Sequence, residues 1–455
     1  MLHPDLASAG ETHRVAGAQL EEAVGLAEAI ALDIVRAEIV RVPSVRPATL
    51  FGSGKVETLG LDIAADGPDV VIVNGDLSPV QHRNLERAWK VKVLDRTALI
   101  LEIFGDRAQT REGRLQVDLA HLTYQKSRLV RSWTHLERQR GGAGFLGGPG
   151  ETQIESDRRA LANKIDRLKK QLEEVRRTRG LQRASRKRVP YPVIALVGYT
   201  NAGKSTLFNR LTQSDVMAKD MLFATLDPTM RAIDLPSGAK AILSDTVGFI
   251  SNLPTQLVAA FRATLEEVAE ADVILHVRDI AHEETEAQKQ DVMAVLAELG
   301  IADDAARKVI EVANKIDCLD KDDRAALSVS ARASGWTAEG TFEAPHRAAT
   351  SAATGEGVEA LRTLIDTVIT EGHLIAHARV AAADGAIEAW LHAHGDVLNE
   401  TAEGDARLFT VRLSPENFGR FKKRFADAVV DVTTSQDASM ASGEDRKHAA
   451  GYRPL

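Results

Sequence analysis

The sequence predicts an α/β protein in which one parallel-sheet domain is preceded by a small α/β domain and a long helical hairpin and followed by a small α+β domain. Three observations predict this organisation. A glycine-rich loop stands between a short apolar strand, residues 193–197, and the start of a helix. Two heptad-spaced stretches flank a second glycine-rich segment. Near the N-terminus, β-branched runs alternate with helical patterns, as they do in parallel sheets.

Composition limits the class of protein. The chain has 455 residues and 44% hydrophobic residues, which suits about three domains with real cores. Its single cysteine, Cys318, excludes an internal disulfide and is typical of a reducing compartment. The first residues lack a signal-peptide pattern, and no apolar run approaches the roughly 18 residues of a membrane span. We therefore expect a cytoplasmic protein without a transmembrane segment.

The N-terminal α/β domain is predicted to cover residues 1–105. A strand over 70–73, a helix over 80–89 and a strand over 91–95 support it, whereas the first 40 residues show no clear opening strand. The run Gly52-Ser53-Gly54-Lys55 resembles a phosphate loop, but its required first glycine would fall at Thr49. We interpret the run as a glycine turn before a helix.

A basic antiparallel coiled-coil hairpin is predicted for residues 106–188. Two sets of residues follow heptad a/d spacing. They are Leu115, Leu119, Leu122, Lys126, Leu129, Trp133 and Leu136, and then Leu161, Ile165, Leu168, Leu172 and Val175. Between them, residues 141–150 contain six glycines and a proline, which cannot continue a helix. We expect this glycine-rich segment to form the tip of the hairpin.

Positive charge is concentrated on this hairpin. Residues 107–140 carry a net +5 and residues 155–188 a net +8, whereas the whole chain carries −8 and the remainder therefore −21. A basic arm on an acidic body favours a polyanionic partner such as RNA. The alternative is a solvated helix pair whose charges only maintain solubility.

The loop after the strand 193–197 matches G-x-x-x-x-G-K-S, the phosphate-binding pattern. It consists of Gly198, Tyr199, Thr200, Asn201, Ala202, Gly203, Lys204 and Ser205. Backbone N–H groups and the helix dipole would bind phosphates there. Lys204 is predicted to reach the β- and γ-phosphates, and the Ser205 hydroxyl to ligate Mg²⁺. The alternative is a glycine turn with a chance lysine.

Two further strand ends carry motifs that select and sense a nucleotide. Asp245, Thr246, Val247 and Gly248 form D-x-x-G, in which the aspartate can hold Mg²⁺ through water and the Gly248 N–H can sense the γ-phosphate. Asn314, Lys315, Ile316 and Asp317 form N-K-x-D. A carboxylate at Asp317 would accept hydrogen bonds from guanine N1–H and its amine and so discriminate against adenine. Ser351, Ala352 and Ala353 are placed to offer a backbone N–H to guanine O6.

The segment between the first two motifs is a candidate switch loop: Phe223, Ala224, Thr225, Leu226 and Asp227, followed by Pro228 and Thr229. Such a loop needs a threonine that binds Mg²⁺ and responds to the γ-phosphate, and Thr225 and Thr229 both qualify by chemistry. Many GTPases carry a glutamine after D-x-x-G to orient the attacking water. Phe249 cannot do so, which predicts slow intrinsic hydrolysis that a partner accelerates, although ordinary packing also explains a phenylalanine.

The remaining boundaries follow from these motifs. We expect a P-loop GTPase domain over 189–370, a C-terminal α+β domain over 371–430 with the order strand, helix, strand, helix, and a disordered tail over 431–455.

At this point residues 45–430 resemble the HflX family of ribosome-associated GTPases. The resemblance is carried by Gly141 to Phe145, Gly147 to Glu155 with Asp157 to Arg159, Thr110 to Gly113, Phe223 to Pro228, Ala260 to Arg262 and Thr264 to Glu267. It implies binding to the large ribosomal subunit and its RNA, with the hairpin directed to the peptidyl-transferase centre. It also favours Thr225 over Thr229, and it implies that a hydrophobic residue at Phe249 is normal.

The resemblance implies GTP-dependent splitting, rescue or recycling of ribosomes, often under stress. We expect GTP and Mg²⁺ as cofactors, Lys204, Thr225 and Gly248 as the catalytic groups, Ser205 and Thr225 as metal ligands, and no DNA partner. We also expect a monomer. The alternative is a large-subunit assembly factor that does not split ribosomes.

Overall fold

A computed structural model describes residues 1–6, 15–139, 149–186, 191–213, 222–223, 225–226, 229–251, 267–298, 300, 308–324, 346–381, 384–425 and 428–434. It has three sheets and a helical hairpin, which confirms the predicted α/β class with its P-loop domain. The predicted glycine tip at 141–148 and the tail beyond Thr434 lie outside the described residues.

The N-terminal domain is a parallel four-stranded sheet in the order β2-β1-β3-β4. In chain order its elements are β1 (Leu2–Leu6), α1 (Ala16–Glu28), β2 (Glu38–Val42), α2 (Ser53–Asp66), β3 (Val70–Val73), α3 (Pro79–Trp89), β4 (Lys92–Asp95) and α4 (Arg96–Arg107). Helix α2 starts at Ser53, directly after Gly52, so three residues of the run predicted as a turn before a helix already belong to the helix itself. Lys55 in this run pairs with Glu38 at 2.8 Å.

The expectation that the first 40 residues lack an opening strand was wrong, because β1 and the start of β2 lie there. The sequence Leu-His-Pro-Asp-Leu has no apolar alternation, and its proline cannot donate to a ladder. Strand β1 pairs with β2 along its whole length but with β3 only at Leu2 and Val73. Tertiary pairing thus makes a strand from a sequence of weak intrinsic preference.

The hairpin consists of α5 (Arg111–Gln139) and α6 (Pro149–Arg186), which pack against each other. Ile165 and Leu172, two of the predicted seam residues, are buried. Helix α6 starts at Pro149, so the last two residues of the predicted 141–150 tip are helical; proline suits the first turn because its missing N–H is not needed there. The side chains of Leu129, Trp133 and Leu136 lie outside the described set.

The nucleotide domain has a six-stranded sheet in the order β10-β9-β8-β5-β7-β6, parallel except for β6. Its elements are β5 (Val193–Gly198), α7 (Lys204–Thr212), β6 (Thr229–Asp234), β7 (Lys240–Asp245), β8 (Val273–Asp279), α8 (Thr285–Glu298), β9 (Lys308–Asn314), β10 (His346–Ala349) and α9 (Val358–Thr370). The carboxyl ends of β5, β7 and β9 therefore lie at one edge, where open α/β sheets bind ligands.

The C-terminal domain differs from the predicted strand, helix, strand, helix order. It consists of β11 (Leu374–Ala381), α10 (Gly385–His394), β12 (Asp396–Glu403), β13 (Ala406–Leu413), α11 (Pro415–Arg424) and β14 (Val429–Thr434), in the antiparallel sheet β12-β13-β11-β14. The missed strands β12 and β14 are both edge strands, and β12 is polar and largely exposed. Strand β14 also reaches into the range that was predicted as tail.

One hydrophobic core joins three of the units. It includes Leu26 and Ile100 of the N-terminal domain, Val117 at the base of the hairpin, and Phe223 and Phe249 of the nucleotide domain. The N-terminal domain therefore packs directly against the segments that flank the phosphate loop.

Candidate nucleotide site

The phosphate loop is shaped by two glycines that no other residue could replace without a clash. At Gly198 a Cβ would lie 2.1 Å from the Val277 carbonyl oxygen. At Gly203, where φ is +90°, a Cβ would lie 2.3 Å from Asn314 Nδ2. Helix α7 starts immediately afterwards at Lys204. The loop thus delivers backbone N–H groups and a helix N-terminus to the sheet edge, which is the geometry of an anion site.

Lys204 lies at the centre of this loop. Its ammonium group donates to the Tyr199 carbonyl at 2.8 Å and the residue is buried. Burial lowers the Lys204 pKa to about 8, although the nearby Asp245 carboxylate acts in the opposite direction. A buried cation with a single neutral partner is suited to receive phosphate oxygens.

Three oxygen-bearing side chains converge next to the loop. Asp245 Oδ2 accepts from Ser205 Oγ at 2.7 Å and from Thr225 Oγ1 at 2.9 Å, and the two hydroxyls are 2.9 Å apart. Burial raises the pKa of Asp245, against the hydrogen bond from Ser205. Among the described side chains, Asp245 Oδ1 and Thr200 Oγ1 are buried without a hydrogen-bond partner. The two hydroxyls and the carboxylate are hard oxygen ligands, and Asp245 Oδ1 has no hydrogen-bond partner among the described residues. Such a set of ligands suits Mg²⁺.

Thr225, not Thr229, occupies this cluster. Thr229 is the first residue of β6 and lies opposite Asp245 in the ladder with β7. The residues alone left the two threonines equivalent, and the folded chain separates them. Ala224 and Asp227, which were also predicted at this site, lie outside the described residues, whereas Phe223 and Leu226 are buried beside it.

Gly248 and Phe249 lie directly against the loop. A Cβ at Gly248 would lie 2.7 Å from Thr200 Cγ2 and 3.1 Å from Lys204 Nζ, so only glycine fits. Phe249 extends the β5 ladder, because its N–H donates to the Gly198 carbonyl at 3.1 Å and its carbonyl accepts from Thr200 at 2.7 Å. Its ring is 2% exposed and belongs to the interdomain core. Ordinary packing therefore accounts for the phenylalanine in this structure.

The N-K-x-D segment joins the phosphate loop to a third loop. Asn314 Nδ2 donates to the Ala202 carbonyl at 2.8 Å, and Asn314 Oδ1 accepts from the Ala352 N–H at 2.9 Å. Lys315 has a left-handed backbone and pairs with Asp279 at 2.8 Å. Asp317 is exposed, and a hydrogen bond from Ser351 lowers the pKa of its carboxyl group. Asp317 can therefore stay ionised and open to a ligand with paired donors.

Sequence reasoning missed a buried polar network that meets this site from the N-terminal domain. Arg96 of α4 donates to the Ser251 carbonyl at 3.0 Å and pairs with Glu22 of α1. The Tyr199 hydroxyl of the phosphate loop donates to Glu22 and accepts from the Ser251 N–H at 2.7 Å. Asn74 also contacts Arg96, at 2.8 Å. These residues are far apart in the chain, so no local pattern could have linked them.

No group of three or more histidine, cysteine, aspartate or glutamate side chains in the described residues has a metal-binding arrangement. No helix in the described part of the chain is long and apolar enough to cross a bilayer.

Comparison with known proteins places the chain in a family. Residues 17–105, 107–186 and 193–315 match the family models described as "GTP-binding GTPase N-terminal", "GTP-binding GTPase Middle Region" and "50S ribosome-binding GTPase". "GTPase HflX" of Magnetococcus marinus is 49% identical over 413 residues, which is 91% of this chain and 92% of that protein. "GTPase HflX" of Escherichia coli K12 is 50% identical, with 60% and 63% covered.

A solved structure is also similar. It is that of a GTP-binding protein from Sulfolobus solfataricus in complex with GDP, which is 25% identical with a TM-score of 0.42 and covers 82% of this chain and 99% of that one. The HflX relatives and the three family models, without this structure, show that the chain is a GTP hydrolase and belongs to the HflX family of GTPases.

Proposed function

We propose that this GTPase binds the large ribosomal subunit and uses GTP binding and hydrolysis to split, rescue or recycle ribosomes. It would act as a monomer in the cytoplasm, with ribosomal RNA and not DNA as the nucleic-acid partner. The nucleotide domain supports this, since residues 193–315 match a model described as a ribosome-binding GTPase. The observation that carries the proposal is the connection between the basic hairpin and the nucleotide site.

That connection runs through two junctions, each formed by two contacts. Arg128 of α5 pairs with Asp95, and Tyr124 Oη donates to the same carboxylate at 2.7 Å, so the hairpin base is attached to the N-terminal domain. The N-terminal domain in turn contacts the switch segments, through Phe104 on Phe223 and Arg96 on Ser251. A change at the γ-phosphate can therefore alter the direction of the hairpin.

The hairpin offers the charge that RNA requires. Among the described side chains of helix α6, at least six lysines and arginines are exposed to solvent. They include Arg158, Arg159, Lys164, Arg167, Lys169 and Lys170. Lysine and arginine on an extended helix release counterions from a phosphate backbone when they bind, which makes the affinity fall with salt.

In the nucleotide site we assign the roles by geometry. Lys204 and the loop 198–205 would hold the phosphates, Ser205 and Thr225 would hold Mg²⁺ with Asp245 in support, and the Gly248 N–H would sense the γ-phosphate. Asn314, Lys315 and Asp317 surround guanine. Mg²⁺ supplies charge neutralisation of the phosphates when it is bound. The slow intrinsic hydrolysis expected from Phe249 would be stimulated on the ribosome.

Sedimentation with ribosomes in GTP, GDP and a non-hydrolysable GTP analogue tests the proposal. We expect binding to the large subunit with the analogue and release with GDP; binding that ignores the nucleotide would refute the switch. Lys164→Glu combined with Lys169→Glu should weaken binding and reduce the salt slope by about two. The matched control is Arg420→Glu with Lys423→Glu, an equal charge change on α11 of the C-terminal domain.

A turnover assay distinguishes ribosome splitting from the alternative function, which is assembly of the large subunit without splitting. A splitting factor dissociates many whole ribosomes per molecule in excess GTP, whereas an assembly factor binds isolated large subunits and leaves whole ribosomes intact. The hairpin charges alone favour neither outcome.

A further inference from the structure

The loop from Ser351 to Glu356 uses nearly all of its own backbone donors. The N–H groups of Ser351 and Gly355 bond within the loop, to the Glu356 carbonyl at 2.9 Å and the Ser351 carbonyl at 2.8 Å. The Thr354 N–H donates to Ser351 Oγ at 3.1 Å. The Ala352 N–H donates to Asn314 at 2.9 Å. In the part of this loop that the structure describes, the Ala353 N–H is the donor left open.

A side chain from another element fixes the two carbonyls next to that donor. Arg210, in the last turn of α7, donates from Nε to the Ala352 oxygen at 3.3 Å and from Nη2 to the Ala353 oxygen at 2.5 Å. Gly355 lies beside the guanidinium, and its φ of +92° favours glycine, whereas a Cβ there would make only ordinary contact at 3.5 Å from the guanidinium carbon. Arginine presents its donors in a rigid planar fork, which suits two consecutive carbonyls.

The orientation of a carbonyl decides that of the next N–H. In a trans peptide the C=O and the following N–H point in opposite directions. Because Arg210 holds the Ala352 oxygen towards α7, the Ala353 N–H points away from α7. If Arg210 were absent, the part-buried Ala352 carbonyl would lose its side-chain donor, and the peptide could rotate to recover a hydrogen bond with water.

We infer that Arg210 is a positioning residue for guanine recognition: it orients the Ala353 peptide so that its N–H is available to guanine O6. The inference rests on the proposed use of this site for guanine. It also gives α7 a second role. The same helix begins at the phosphate-binding Lys204 and carries, in its last turn, the arginine that orients the loop from Ser351 to Glu356. Asn314 makes the other link between these two loops.

The test measures the affinity of the full-length chain for GDP and two analogues. In 6-thio-GDP, sulfur replaces O6, and in IDP the 2-amino group is missing. The wild type should prefer GDP over both. In Arg210→Ala we expect the preference for GDP over 6-thio-GDP to shrink about fivefold, which is the effect of one net hydrogen bond. The preference for GDP over IDP, which reports on Asp317, should stay unchanged.

Three controls make the outcome decisive. Arg210→Lys keeps a cation with three donors but lacks the rigid planar fork, so it should restore only part of the 6-thio-GDP discrimination. Arg362→Ala removes a half-buried arginine that also donates to a main-chain carbonyl, that of Asp234 at 2.5 Å, and should change neither ratio. Asp317→Asn should abolish the IDP discrimination and leave the 6-thio-GDP ratio in place.

An unchanged 6-thio-GDP ratio in Arg210→Ala would overturn the inference. Equal loss of both ratios would also overturn it, because that result would mean that Arg210 only stabilises the fold. If the wild type itself did not prefer GDP over IDP, the assignment of the base site would fail instead, so the two failures are distinguishable.

Discussion

The ring of Phe104 meets the ring of Phe223 edge to face, with centroids 4.9 Å apart and planes at 86°. Phe104 lies in the last turn of α4 of the N-terminal domain, whereas Phe223 lies two residues before the threonine of the candidate magnesium site. Both rings are at most 2% exposed. The contact therefore joins the N-terminal domain to the segment that is expected to respond to the γ-phosphate.

Phe104→Ala should loosen that segment. Removing a buried phenylalanine costs about 3–5 kcal/mol of unfolding free energy, through lost burial and the cavity left behind. We expect this loss in chemical denaturation, together with faster hydrogen exchange around residues 222–226 and 249–251. Phe409→Ala in the C-terminal core is the matched control and should destabilise without that change in exchange. Unaltered exchange in Phe104→Ala would contradict the role of the contact.

The pair of Glu22 and Arg96 should act as a coupled unit. Arg96→Met leaves the Glu22 carboxylate buried without its cation, which costs about 3–5 kcal/mol of unfolding free energy. The double variant with Glu22→Gln should lose less than the sum of the single variants, because both disrupt one network. Denaturation of the four proteins of this cycle gives the coupling energy. Strict additivity would show that the two side chains contribute independently.

Thr225→Ala should impair hydrolysis and spare product binding. A threonine that ligates Mg²⁺ only with the γ-phosphate contributes to the GTP state, so we expect GTP turnover to fall about a hundredfold and GDP affinity to change by less than about twofold. Single-turnover hydrolysis and a titration with GDP measure the two quantities. Thr229→Ala is the control and should retain turnover. If Thr229→Ala lost turnover and Thr225→Ala retained it, Thr229 would be the Mg²⁺ ligand instead.

His276 should make the nucleotide domain sensitive to acid. Burial in β8 lowers its pKa to about 4, although Glu311 opposes this, and the positive charges of Arg278 and Lys289 also face it. Between pH 6.5 and 4 the unfolded chain takes up a proton that folded His276 does not. Stability is therefore lost as the pH falls through this interval, by about 3 kcal/mol in all.

Chemical denaturation of the wild type and of His276→Gln at several pH values between 7 and 4.5 checks this expectation. In the variant, the free energy of unfolding should decline much less than in the wild type as the pH falls from 7 to 4.5. Glu311, whose own burial is outweighed by hydrogen bonds from Lys289 and Arg278, has a pKa of about 2 and stays ionised there. Parallel curves for the two proteins would contradict the prediction.

Much of the fold and of the site could be predicted from the sequence because the signals are local. The phosphate loop, D-x-x-G and N-K-x-D each stand at the end of an apolar strand, and backbone geometry demands glycine where Gly203 and Gly248 lie. Heptad spacing was sufficient to predict the hairpin. Strands β1 and β12 could not be predicted, since a proline and a polar edge position remove the periodic pattern. Strand β14 has a β-branched run, Val429–Thr434, which the prediction assigned in part to the tail.

The sequence by itself determined which nucleotide chemistry the chain can perform and in which order its domains follow. The tertiary structure brought Thr225, which the family resemblance already favoured over Thr229, to Asp245, because proximity to Asp245 depends on how the chain folds back to the sheet edge. It also decided that Glu22 and Arg96 meet Tyr199 and Ser251, and that Arg210 reaches the base loop. Such contacts join residues from distant parts of the chain, and no local periodicity records them.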